Sequence, residues 1–289
     1  MKTGLLTRNK AGHDPAAKQP GRLMKHALLA GCCLALGTAA PFAQDKTNGI
    51  APPAERCLRA ACQYLAEAPF FSLNAEVWRE HVTASGQKLQ FSRTVTFEVK
   101  RPDRLHVEIR SPHSERGFWY DGKSLTILDR KRNLFSTAPM PDTLDAALDN
   151  AHGQFSIDLP LIDLAVSDPY KNATSQVLKG MDYGLAPVLG VDCRHLAFTQ
   201  ENVDWQIWIQ DGPQPLIRKF VITHKNEEGA PEFTALITRW DLTQRISDSA
   251  FAFDPPPGAS RIEMRPDRPE SGAERTAKPS TPLTTPNAK

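Results

Sequence analysis

Cysteine is scarce, five in 289 residues, and two of these, Cys32 and Cys33, fall in an apolar leader. Cys57, Cys62 and Cys193 remain, an odd number, so at most one internal disulfide can form. A bridge from Cys57 or Cys62 to Cys193 and a set of unpaired thiols are both open. No CxxC and no paired metal-ligand spacing occurs, and GxSxG, HExxH and glycine-rich phosphate loops are also missing. No metal, nucleotide or other cofactor is therefore expected, and no catalytic residue. His106 and His195 stand singly in alternating segments, where a lone histidine reads as a half-buried structural residue. An envelope hydrolase is the least supported reading of the chain.

Charge of one sign is lacking as well. The formal net charge is +2, but residues 1–43 hold six of the Lys/Arg and a single acid, Asp14, which leaves 29 basic and 32 acidic groups, net −3. Without a basic stripe the chain has no footing for nucleic acid. The apolar segment from Ala27 to Leu36 is too short to cross a bilayer. With Lys25 before it and small residues ending at Ala43, it reads as a secretory signal peptide, residues 1–43, with Met24 as a candidate true start. Leu29-Ala30-Gly31-Cys32 also matches a lipoprotein box, so anchoring at Cys32 is the alternative to free export into the periplasm.

What the chain does have is alternation. In KLQFSRTVTFEVKRPDRLHVEIR, residues 88–110, Leu89, Phe91, Val95, Phe97 and Val99 occupy odd positions, broken only by Arg93, and polar residues the even ones. After the polar break, Leu105, Val107 and Ile109 continue the pattern. Side chains alternate faces along a strand, so this is a long antiparallel hairpin with one apolar face. The other segments follow from the same reading. Residues 44–53 are a spacer, 54–68 carry helical spacing stopped by Pro69, and 71–82 form a first strand. Short strands at 116–121, 123–129 and 134–137 precede a helical insert, 142–153 and 159–166, closed by Asp168-Pro169. Strands resume at 175–181, 191–200, 203–210, 216–223 and 233–242, and a last short one covers 250–253. Residues 265–289 lack large apolar side chains and read as a disordered tail. The result is an α+β chain with one domain, 54–264, of about ten antiparallel strands, an N-terminal helix and a helical insert.

Specific residues then match a known group. Val99-Lys100-Arg101-Pro102, Tyr120-Asp121-Gly122-Lys123-Ser124-Leu125 and Phe251-Ala252-Phe253-Asp254-Pro255-Pro256-Pro257-Gly258 resemble, in order and spacing, the motifs of LolA-type periplasmic lipoprotein carriers. RPDRLHVEIR, FWYDGKSLTI, LPLIDLAVSDPY and VDWQIWI resemble an uncharacterised family of predicted periplasmic proteins in the same LolA/LolB-like superfamily. The resemblance implies a half-open, incomplete antiparallel β-barrel closed by helices, with an apolar interior that receives acyl chains. It implies that Arg101 latches the lid by bonding to backbone carbonyls of 142–153 or 160–167. The apolar ligand face would comprise Leu89, Phe91, Val95, Phe97, Val99, Leu105, Val107, Ile109, Trp205 and Ile207. The segments at 139–141 and 159–166 depart from the carriers' lid sequence, so binding of an apolar ligand is better supported than transfer of lipoproteins.

The expected function is a non-catalytic periplasmic carrier or binding protein for lipid, acylated lipoprotein or another apolar ligand, acting as a monomer. An inner- or outer-membrane partner protein would accept or deliver the ligand. The alternative is a regulatory or sensory module that binds an envelope protein.

Overall fold

The computed structural model describes residues 49–266. The signal peptide expected over 1–43, with Met24 and Cys32, and all but two residues of the expected tail lie outside the described residues. A two-residue strand β1 (Gly49–Ile50) leads into helix α1 (Pro52–Ala66). Prolines at the first two helical positions suit a helix start, because their missing N–H groups would have no partner there. The helix therefore begins ahead of the expected Ala54. It buries one stripe, Ala54, Leu58, Ala61, Cys62 and Leu65.

Strands β2 (Phe70–Val82) and β3 (Lys88–Lys100) pair in unbroken register from Phe70 opposite Lys100 to Val82 opposite Lys88. Strands β4 (Arg104–Arg110), β5 (Glu115–Tyr120), β6 (Ser124–Asp129) and β7 (Leu134–Pro139) follow as a meander. At the β5–β6 turn Gly122 takes a positive φ of 85°, and Asp121 accepts the N–H groups of Lys123 and Ser124.

Helix α2 (Leu144–Phe155) starts at Thr143, whose hydroxyl accepts the Ala146 N–H. It runs past Gly153, the expected end, and stops where Ser156 turns left-handed. The second helix expected at 159–166 shrinks to a 3-10 turn, Ile162–Leu164, because Leu161 adopts φ 70° and breaks the helical path. Asp168-Pro169, expected to close that helix, opens another, α3 (Pro169–Thr174). The Asp168 carboxylate accepts the Lys171 N–H and Pro169 fills the first position, an N-cap followed by proline.

The remaining strands are β8 (Lys179–Leu185), β9 (Cys193–Thr199), β10 (Val203–Gln210), β11 (Ile217–His224), β12 (Glu232–Asp241) and β13 (Ser260–Arg261). A 3-10 turn, Asp248–Phe251, stands where a strand was expected at 250–253, because the Ser247 hydroxyl caps it by accepting the Ser249 N–H.

The strands form one sheet in the order β1-β8-β9-β10-β11-β12-β2-β3-β4-β5-β6-β7-β13. β8 to β7 is antiparallel throughout, and β1 and β13 add short parallel pairings at the two ends. Among the described residues the ladder does not close, so the architecture is a half-open barrel of antiparallel strands. One face carries the core, in which α1, α2 and the turn at 159–165 pack on Phe71, Phe97, Val107, Phe118 and Ile237.

Candidate functional site

Register decides what faces the inside of the sheet. Phe198 pairs with Trp205 and Trp205 with Ile222, while Leu196 pairs with Ile207 and Ile207 with Phe220. These are two adjacent apolar rungs across β9, β10 and β11. A shift in register at Trp208/Ile209 then sets Ile217 opposite Ile209, on the same face as Ile207. α1 supplies Leu58 and Cys62 from above, and the lid supplies Leu161, Leu164, Pro169 and Ala173. Between these walls lies a cavity of about 380 Å³. That volume lies within the range of small-ligand sites. Its polar lining includes Asp163 and Asn172, which are already joined by a 2.8 Å hydrogen bond from the Asn172 amide. The Trp205 ring stacks on Phe198 at 4.0 Å, so the tryptophan presents a fixed flat surface to the cavity.

The lid is tied down at its far end. The Arg101 guanidinium donates to the carbonyls of Ala165 (2.6 Å) and Val166 (3.1 Å), with a longer contact to Leu164 (3.5 Å). Its own N–H donates to the Pro69 carbonyl at 2.8 Å, which fixes the backbone from which the side chain reaches. Burial pushes the Arg101 guanidinium down from its ordinary value, against the opposing charge of Asp145. Its Nε is buried without a partner. Asp145 adds a second tie by accepting the Ser167 N–H at 2.9 Å, and Leu144 donates its N–H to the Pro102 carbonyl at 3.2 Å. On the α1 side, the Tyr170 hydroxyl donates to Glu55 at 3.2 Å and Arg59 lies 3.9 Å over the Tyr170 ring.

Of the ten residues expected to form a ligand face, Trp205 and Ile207 line this cavity. Val95, Phe97, Val99, Leu105 and Val107 do not. They are at most 1% exposed and belong to the filled core, and Ile109 packs against it. Leu89 and Phe91 lie beyond the cover and are 36% and 54% exposed. Alternation identifies the inward face but not which part of it the helices fill. The sequence reading missed Leu58, Ile217, Phe220 and Ile222. Phe220 and Ile222 had a signal, the partly apolar second face of 216–223. Ile217 depends on the β10–β11 bulge, which periodicity does not register.

Neither His106 nor His195 faces the cavity. His195 lies on the opposite face, its ring stacked on Trp208 at 4.2 Å and its Nε2 within 2.9 Å of Gln206 Oε1. His106 sits behind the filled core between Glu98 (2.9 Å) and Glu108 (3.2 Å) and stacks on Trp119 at 4.8 Å. Burial opposes charge on His106, but the hydrogen bonds to Glu108 and Glu98 outweigh it and raise its pKa. Only glycine permits this packing at residue 117, since a Cβ there would meet the Trp119 ring at 2.2 Å. Among the described residues Cys57, Cys62 and Cys193 form no disulfide, and burial pushes Cys57 up to about 11 and Cys62 up to about 12. Among the described residues no cluster of His, Cys, Asp and Glu could hold a metal ion, and no helix is long and apolar enough to cross a membrane.

Comparison with known proteins gives one family and several distant structures. The family model described as "Predicted periplasmic protein (DUF2092)" matches residues 54–265. No curated protein matches the chain. An uncharacterized conserved protein from Thermus thermophilus is 10% identical, covers 73% of this chain and 99% of its own, and has a TM-score of 0.44. The Mycobacterium tuberculosis lipoprotein LppX is 7% identical, covers 68% of this chain and 99% of its own, with a TM-score of 0.42. The LolA superfamily protein NE2245 from Nitrosomonas europaea is 11% identical, covers 69% and 97%, with a TM-score of 0.32. Likeness at this level leaves the functional argument to the chain's own geometry.

Proposed function

The chain belongs to the DUF2092 family of predicted periplasmic proteins, and from that premise we propose that it is a non-catalytic periplasmic binding or carrier protein for a lipid, a lipoprotein acyl chain or another apolar ligand. The observation that carries this reading is the cavity of about 380 Å³ walled by Trp205, Ile207, Phe220, Leu58 and Leu164. Burial stabilises an acyl chain by about 0.8 kcal/mol per CH₂, so a chain of about fourteen carbons would gain on the order of 10 kcal/mol if fully enclosed. Escape into water is then slow, and release requires an acceptor that takes the chain directly. The lid fits that requirement. Arg101 holds it through hydrogen bonds worth about 1 kcal/mol each, so contact with an acceptor can open it.

Lipid extraction and mass spectrometry of the exported chain test the reading, together with uptake of a fluorescent fatty acid. Wild type should carry or take up an apolar ligand. Ile207→Trp, which fills the cavity from its wall, should abolish uptake while the thermal transition remains cooperative. Equal uptake by the two proteins would sink the assignment. The exposed Tyr183, Leu185 and Leu189 at the β8 end of the sheet favour a second reading, a module that docks an envelope protein there. Capture of a membrane partner that is lost in Tyr183→Ser/Leu185→Ser, with ligand content unchanged, would select it.

A further inference from the structure

The rungs that wall the cavity run on across the sheet into a cluster of arginines. Ile222 faces Phe233, Phe233 faces Arg79, and Arg79 faces Phe91. On the next rung Phe220, Ala235, Val77 and Arg93 are successive partners. With strands about 4.8 Å apart, Arg93 stands three strands, about 14 Å along the sheet, from the cavity wall at Phe220. Arg116 joins from β5: it faces Ile109, which faces Val95, two residues from Arg93 on the same face.

The carboxylates beside these arginines in sequence or register are committed elsewhere. Asp129, opposite Arg116, lies 3.8 Å from the Arg132 guanidinium and accepts the Arg132 N–H, Glu115 holds Arg110 at 2.8 Å, and Glu80 holds Lys88 at 3.0 Å. Among the described residues none of the three arginines has a salt-bridge partner. Burial pushes the half-buried Arg93 guanidinium down, and the charges of Arg79 and Arg116 push it the same way. Like charges gathered on one face without a counter-ion are stabilised by an anion, and the guanidinium fork matches phosphate and carboxylate oxygens. Phe233 on the cavity side of Arg79 and the exposed Phe91 on its other side give the charges apolar neighbours.

We propose that Arg79, Arg93 and Arg116 form the headgroup subsite of an anionic amphiphile, a lipid with a phosphate or carboxylate head, whose apolar tail enters the cavity beneath the lid. The proposal rests on the lipid-binding reading and adds the charge of the ligand to it. The tail occupies the β10–β11 rungs, and the head reaches the arginines along the Ile222–Phe233–Arg79 rung, because Val77 and Ala235 on the other rung are fully buried.

Calorimetric titration of the exported chain with myristoyl lysophosphatidate, with the neutral monomyristoyl glycerol, and with inorganic phosphate alone tests this. The charged lipid should bind at least about tenfold more tightly than the neutral one at low ionic strength, with the gap narrowing as salt screens the arginines. In Arg79→Gln/Arg93→Gln/Arg116→Gln the preference should vanish while the neutral lipid binds as before. Arg93→Lys, which keeps the charge, should retain most of the preference. Equal affinity for the two lipids in wild type, or a preference that survives in the triple variant, overturns the subsite while leaving the cavity assignment intact. Phosphate binding as tightly as the charged lipid also overturns it, by showing a site for a free anion. Failure of both lipids to bind overturns the lipid-binding reading itself.

Discussion

The inner face of the sheet has two halves built from the same alternating pattern and finished differently. Across β3 to β5, Val95, Phe97, Val107 and Phe118 are packed into a continuous core that also contains Leu144, Ala147 and Ala151 of α2. Across β10 and β11, Trp205, Phe220 and Ile222 face a cavity roofed by α1, the 3-10 turn and α3. Alternation sets which side chains turn inward in both. The roof decides whether that surface becomes filled core or cavity wall: α2 fills the space over the first half, whereas α1, the 3-10 turn and α3 leave a space over the second. Filled core and open volume are thus divided between the two sides of one ladder.

Truncation should separate the halves most sharply. Phe97→Ala removes a fully buried ring from filled core and should cost about 3–5 kcal/mol in denaturant unfolding. Phe220→Ala enlarges a space that already exists and should cost under about 2 kcal/mol. Equal costs would erase the distinction between core and cavity.

Opening the lid should act on one half only. Arg101→Leu removes hydrogen bonds to the Ala165 and Val166 carbonyls, a loss of about 2 kcal/mol. Amide exchange should quicken over 161–174 and stay unchanged in β3 and β4, and faster exchange throughout the sheet would count against a lid that moves by itself.

The smallest effect is one of pH, and it belongs to the filled half. Behind that core, His106 has a raised pKa, so its contribution to stability is complete below the ordinary histidine value of about 6.5 and is lost as pH rises through its higher folded value. Its partner Glu108 behaves in the opposite sense. Burial opposes its charge, but the bonds from His106 and Arg130 outweigh that and hold its pKa low, so its contribution is lost as pH falls below the carboxylate range. The unfolding midpoint of wild type should therefore fall between neutral and mildly alkaline pH, and His106→Gln should flatten that slope. An unchanged slope would remove His106 as the cause.

Much of the sheet was legible because one buried face fixes register residue by residue. The 88–110 hairpin and the strand 203–210 have the expected bounds. Short elements were not legible, since six residues of α3 contain too little of a period to show, and Asp168-Pro169 marks a start as readily as a stop. The 159–166 segment is apolar enough for a helix, but its path is set by the left-handed Leu161. KRP in the sequence marked Arg101, whose side chain is found on the lid carbonyls, whereas the cavity's position was hidden because it depends on where α1 and the lid come to rest. The arginine cluster was hidden for a related reason. Arg93 looks like a break in the alternation of β3 until Arg79 and Arg116 are seen on the same face.

The centre of the ladder also bears on how the chain is made. β2 is joined to β12 at its middle, and the Thr238 hydroxyl donates to the Asn74 carbonyl across 164 residues of sequence. The sheet cannot be completed until nearly the whole domain has emerged, because β2 awaits its second neighbour throughout. Long-range pairing of this kind folds slowly, since loop closure must precede the contacts that reward it. A delay written into strand order keeps the chain open until its last strands arrive.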